Sequence, residues 1–113
     1  MQIGNQVEGQ LPEELKKKID EIVSKDKIVL FMKGDRFMPQ CGFSDAVVKA
    51  LNFHSAEYVT YDVLTNPDLR MGMKIYSEWA TFPQLYVNKD FVGGCDIIME
   101  MHEQGELAEA LAK

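Results

Sequence analysis

Cysteine is scarce in this chain of 113 residues: it has two, Cys41 and Cys95. Two cysteines cannot build a disulfide framework. Free thiols fit a reducing compartment, such as a bacterial cytoplasm, mitochondrial matrix or plastid stroma. Long apolar runs are missing too. No stretch approaches the roughly 20 apolar residues that span a bilayer. Basic charge is short: 12 Lys and Arg stand against 18 Asp and Glu, a net charge of -6. Residues 95–113 hold five of the acids and a single base. Such an acidic end argues against nonspecific nucleic-acid binding. The opening MQIGNQVEGQ has no apolar run and no arginine, so it reads as neither a signal peptide nor an intact transit peptide. Residues 1–11 are polar, carry two glycines and are expected to be flexible.

Apolar residues make up 46% of the chain, enough for one core without a metal or disulfide staple. One domain is expected over residues 12–113. Pro12 suits a helix start, and Leu15, Ile19, Ile22 and Val23 form one helical stripe. The run KIVLFM (27–32) reads as a buried strand, and KGDRFMPQ (33–40) as a loop. From Gly42 onward Phe43, Val47, Ala50 and Leu51 recur at helical spacing. Residues 57–63 alternate as a strand does. Asn66-Pro67 starts a helix whose inner face carries Leu69, Met73 and Tyr76. QLYV and DFV flank an Asn88-Lys89 turn, a β-hairpin. A last helix begins near Ile97, Ile98 and Met101 and continues past Gly105 through Leu107 and Leu111. The resulting order, α-β-α-β-α-β-β-α, predicts an α/β protein. Its four-stranded mixed sheet is flanked by helices in a thioredoxin-like fold.

Cys41 falls between the first strand and the helix that follows. Unpaired N–H groups at that helix start favour a thiolate, and Lys33 adds positive charge. A stable thiolate is both a nucleophile and a soft-metal ligand. Buried packing is the plainer role for a free cysteine, but a Pro/Gly loop opening a helix is a poor place for a core residue. Cys95 follows Gly93-Gly94 at a second strand–helix junction, where a structural role and a functional one both stand. Ser44 occupies the position at which a CxxC motif has its second cysteine. A hydroxyl cannot resolve a mixed disulfide, so Ser44 is expected to support the first helical turn. Cys41 must then use an external thiol, use Cys95, or bind metal. A metal centre made by one chain alone is disfavoured: beyond the two cysteines there are only His54 and His102, without metal-site spacing. Both histidines are expected at the surface.

FMKG, PQCGFS, TFPQLYV and FVGGCD, in this order and spacing, resemble the monothiol glutaredoxins of the CGFS type, over residues 13–113 or so. The resemblance implies a carrier that binds a [2Fe–2S] cluster with glutathione and transfers it during iron–sulfur assembly. Two chains would share one cluster, each giving the Cys41 thiolate and one bound glutathione. Carried over by motif, Lys33, Arg70 and Lys74 would meet the glycine carboxylate of glutathione. Phe82, before a cis Pro83, would offer its backbone to the cysteinyl part. Gly94, Cys95 and Asp96 would receive the γ-glutamyl end, with Asp96 on the ammonium. Implied partners are a second copy bridged by the cluster, BolA-like proteins and apo iron–sulfur acceptors. The chain departs from the family pattern at Asp35-Arg36, where Thr-Pro is common, and at Trp79-Ala80-Thr81, where Trp-Pro-Thr is common. The alternative is an enzyme, a monothiol glutathione-dependent oxidoreductase acting on mixed disulfides. Both readings use Cys41 as the reactive group. Turnover of a mixed disulfide with glutathione marks the enzyme, and visible absorption after cluster reconstitution marks the carrier.

Overall fold

The computed structural model describes residues 9–113. Most of the N-terminal stretch expected to be flexible lies outside the described residues; Leu11, its last residue, packs against the core. The first strand, β1 (Ile28–Met32), has all five side chains buried. Such a strand needs apolar cover on both faces, and its neighbours supply it. The preceding helix is α1 (Glu13–Lys25). After β1 come β2 (Gly34–Asp35), β3 (Met38–Pro39), α2 (Gly42–Phe53), β4 (Val59–Asp62) and α3 (Pro67–Ser77). The chain closes with β5 (Gln84–Val87), β6 (Asp90–Gly93), α4 (Cys95–Glu103) and α5 (Leu107–Ala112). The main sheet has the order β4-β1-β5-β6. β4 runs parallel to β1, with Val29 opposite Val59, and β5 runs antiparallel, with Leu30 opposite Leu85.

Alternation along β1 divides the core in two. Ile28, Leu30 and Met32 face α2, α4 and α5, meeting Val47, Leu51, Ile98, Leu107 and Leu111. Val29 and Phe31 face α1 and α3, meeting Ile19, Val23, Leu69 and Met73. This is the mixed, helix-flanked sheet that the sequence predicts.

Three local expectations change. The loop at 33–40 contains a tiny hairpin, β2 against β3. Its turn is closed by the Asp35 carboxylate, which accepts from the N–H groups of Phe37 and Met38 at 2.8 and 2.9 Å. The last helix is two helices, because Gly105 takes a left-handed φ of 75° and breaks the hydrogen-bond ladder. Its first half also starts earlier than expected, at Cys95. Phe43 is not on the buried stripe of α2; it is 61% exposed, whereas Val47, Ala50 and Leu51 are buried.

The Asn88-Lys89 turn is as expected: φ is positive at both residues, 51° and 74°, as a two-residue hairpin turn matching the strand twist requires.

Phe31 has no exposed surface and packs against the rings of Tyr61 and Tyr86, at 5.5 and 5.6 Å between centroids. Phe31→Ala is expected to lower stability by about 3–5 kcal/mol, as large-to-small core substitutions of phenylalanine do. Urea denaturation followed by circular dichroism measures it.

Candidate functional site

β1 delivers the chain to Lys33, the small hairpin carries it outward, and α2 begins at Gly42. Cys41 is the N-cap residue of α2, in extended conformation (φ -155°, ψ 136°). No side chain caps this helix, so its first N–H groups are free for the sulfur. The thiol pKa is lowered, first by a hydrogen bond from the Ser44 backbone N–H. Partial burial opposes this, and the Phe43 N–H, the Lys33 charge and the Ser44 hydroxyl lower it further. Ser44 thus does more than support the first turn. It is fully buried, and its Oγ also accepts from the Lys33 N–H at 3.2 Å. The hydroxyl therefore joins the strand end to the thiol. The sequence shows only that it is not a cysteine.

The loop before Cys41 is braced. Gln40 N–H donates to the Lys33 carbonyl at 2.9 Å. Gly34 N–H donates to Asp62 Oδ1 at 2.9 Å. The Arg36 guanidinium lies 4.1 Å from the Tyr58 ring centroid and donates to the Tyr58 carbonyl. The departure at Asp35-Arg36 is thus a turn-former followed by an anchor. With the loop held this way, Phe37 and Met38 stand 89% and 67% exposed beside the cysteine.

Next to this loop is a cleft of about 490 Å³, within the range of small-molecule sites. Lys33, Arg70, Lys74, Phe82, Gly94, Cys95 and Asp96 all line it. Every residue read from the sequence as a glutathione contact therefore faces one cavity. Arg70 and Lys74, four apart on α3, point into it together, as their spacing requires. The Phe82–Pro83 bond is cis. Gly94 is the N-cap of α4, so a second set of free helical N–H groups opens here. The cleft carries three cations on one side and the Asp96 carboxylate on the other. Cys41 is not itself in the lining; it stands at the cleft's edge, close enough for its charge to act on Cys95 and for that of Lys33 to act on it, both of which are lining residues.

Cys95 differs from Cys41. Its pKa is raised by burial first, then by the negative charges of Asp96 and Cys41. One thiol is tuned toward the anion and the other keeps its proton. Trp79 also lines the cleft and was not among the expected contacts. Its Nε1–H is buried without a partner, as is the Nε–H of Arg70. A buried donor left unpaired costs about 1–3 kcal/mol. In the sequence Trp79 stands out as the chain's single tryptophan and as the first residue of the Trp79-Ala80-Thr81 segment, but neither shows that it faces the cleft. His54 and His102 are not the independent surface residues expected: they are half-buried and face each other at 3.1 Å.

The glutaredoxin family model matches residues 28–92. The chain belongs to the glutaredoxin family. Its relatives point to the monothiol branch. A monothiol glutaredoxin of Porphyra purpurea, called ycf64 and uncharacterized, is 52% identical over 83% of this chain and 88% of that protein. Glutaredoxin-related protein 5 of Danio rerio, a mitochondrial protein, is 50% identical over 86% of this chain and 63% of its own length. Among solved structures, reduced poplar apo GrxS14 matches with a TM-score of 0.76 at 48% identity, over 87% of this chain and 90% of that one. A buckwheat glutaredoxin solved as a complex with glutathione matches with a TM-score of 0.74 at 25% identity, over 85% and 86%. The glutaredoxin fold explains why the cleft opens where it does, between the start of α2, the start of α4 and the cis-proline turn.

Three outcomes are expected of this glutaredoxin. Because its thiol pKa is lowered, Cys41 should be alkylated at half its maximal rate at a lower pH than free cysteine, and Cys95 at a higher one. Ser44→Ala removes a donor to the sulfur, so the Cys41 midpoint should move up. Iodoacetamide labelling against pH, read by peptide mass spectrometry, measures all three.

Proposed function

We propose that this glutaredoxin receives a [2Fe–2S] cluster together with glutathione and hands it to acceptor proteins. The observation that carries the reading is a single acidic thiol at the edge of a cleft whose charges match glutathione. Glutathione has two carboxylates, one ammonium and one thiol. Lys33, Arg70 and Lys74 would hold the glycine carboxylate. The backbone at Phe82 would align the cysteinyl part. The N–H groups at Gly94 and Cys95 would take the γ-glutamyl carboxylate, as helix starts take anions, and Asp96 the ammonium. The unpaired donors of Arg70 and Trp79 support the fit.

Bound glutathione would supply a second sulfur beside each Cys41. The chain's own part is to keep Cys41 ionised, through Ser44, Phe43 and Lys33, and to present it on a braced loop. Two chains and two glutathiones would then provide the four sulfur ligands that an iron–sulfur centre needs. The homodimer is bridged by its cargo, and BolA-like proteins and apo acceptors are the partners in transfer. A reducing compartment, whether bacterial cytoplasm, mitochondrial matrix or plastid stroma, suits the free thiols; the similar proteins include mitochondrial and chloroplastic members. A second reading rests on the same lowered pKa: an acidic thiolate also attacks mixed disulfides, which would make the chain a glutathione-dependent oxidoreductase.

Anaerobic reconstitution with iron, sulfide and glutathione tests the proposal. It should give a holo-dimer with one cluster and two glutathiones per two chains. Cys41→Ser should bind no cluster, and Cys95→Ser should keep it. Arg70→Glu should weaken glutathione-dependent cluster assembly by about 1.5–3 kcal/mol, the worth of a hydrogen bond to a charged group, with the fold intact. A monomeric holo-protein, or a cluster retained by Cys41→Ser, overturns the reading. Fast mixed-disulfide turnover with no cluster favours the enzyme.

A further inference from the structure

Helices α2 and α4 pack side by side in one layer. Each has a cysteine at its start, the N-cap Cys41 or the first residue Cys95, and a histidine at its far end. His54 is the C-cap residue of α2, and His102 lies in the last turn of α4. The Nε2 atom of His54 and the Nδ1 atom of His102 are 3.1 Å apart. The two rings are nearly perpendicular, at 88°. Phe53 stands edge-on to both, with centroids 5.2 Å from each. It is itself 75% exposed, so it walls the pair without closing it off from water.

A single hydrogen bond accounts for the separation, and so does a metal. Zinc–imidazole bonds of about 2.0–2.1 Å place two ligand nitrogens roughly 2.9 Å apart at a right angle and roughly 3.4 Å apart at the tetrahedral angle. The observed 3.1 Å lies between. Imidazole suits zinc, copper, iron and nickel, whereas thiolates draw softer ions. The setting also favours a cation. Two helix C-termini converge here, and their last carbonyls carry partial negative charge. The last turn of α2 has no basic residue, and that of α4 has only His102.

We propose that the His54–His102 pair is a two-imidazole site for a divalent first-row transition ion, zinc being the type case, with water in the remaining positions. Among the described residues no group of three or more His, Cys, Asp and Glu gathers around a metal position, so the protein supplies two ligands. In the neutral pair one inner nitrogen holds a proton and the other accepts it. The ion takes both inner lone pairs. The inner proton moves, through water, to the outer nitrogen of the same ring, so no proton is lost overall. The bound ion staples α2 to α4 at the ends remote from Cys41 and Cys95. The site is thus independent of the thiol cleft.

Zinc titration of the full chain, with both thiols blocked by iodoacetamide, tests this. Long-range nitrogen–proton NMR of the imidazoles reads each ring nitrogen. The expected result is that His54 Nε2 and His102 Nδ1 shift together and saturate at one zinc per chain, while Nδ1 of His54 and Nε2 of His102 each carry the proton in the bound state, one of them gaining it from its own ring's inner nitrogen. Loss of an outer partner of a metal ligand costs roughly 10–100-fold in affinity. His54→Gln and His102→Gln, which remove a ligand outright, should each cost at least that. Zinc that moves only one ring, that engages the outer nitrogens, or that leaves both rings unmoved at millimolar concentration overturns the proposal. The wild-type spectra decide the matter even if a variant fails to fold.

Discussion

Water is excluded from both faces of β1, and the arrangement of the molecule follows from that. Ile28–Met32 present five consecutive side chains that are all buried, so no single layer of helices can cover them. α1 and α3 must take one side, and α2, α4 and α5 the other. To reach the second side after leaving β1, the chain has to cross the sheet's end through residues 33–41. α2 therefore begins at the edge of the sheet with its N–H groups turned outward. The position of Cys41 is thus a by-product of how the core is closed. β6 makes the same passage into α4, and the two helix starts become neighbours because their helices pack in one layer.

From that placement the two thiols acquire different characters without any metal or partner. Cys41 precedes the first turn of α2 and receives N–H groups directly. Cys95 is inside the first turn of α4, more buried, and next to Asp96. Hydrogen-bond donors hold the Cys41 thiol pKa down, whereas burial first, and then the neighbouring negative charges, push that of Cys95 up. The cleft is lined unevenly in the same sense, by cations from α3 and from the residue that follows β1, and by the acid of α4.

Much of this was legible in the sequence, for reasons that differ by element. The 3.6-residue stripes of α1 and α2 and the continuous run of β1 report burial directly, so the layers could be read. The Arg70 and Lys74 spacing placed two charges on one helical face, and the structure aims that face into the cleft. What escaped was set by contacts between distant residues. Phe43 has helical spacing but sits in the first turn of α2, beyond the edge of the core, where it lines the cleft and stays mostly exposed. The hairpin within 33–40 rests on Asp35 side-chain hydrogen bonds, which leave no periodic pattern. Ser44 looked like a missing cysteine, yet its hydroxyl is buried between Lys33 and Cys41. His54 and His102 are 48 positions apart, and only the packing of α2 on α4 makes them neighbours.

The lowered basicity of Cys41 has a consequence beyond its readiness to react. In thiol–disulfide exchange the sulfur of lower pKa departs more readily. Any disulfide that includes Cys41 is therefore polarised: an incoming thiol that attacks the other sulfur expels Cys41 as the better leaving group. The N–H groups of Phe43 and Ser44 wait to receive the negative charge as it forms. Bonds to this sulfur are easy to make and easy to break.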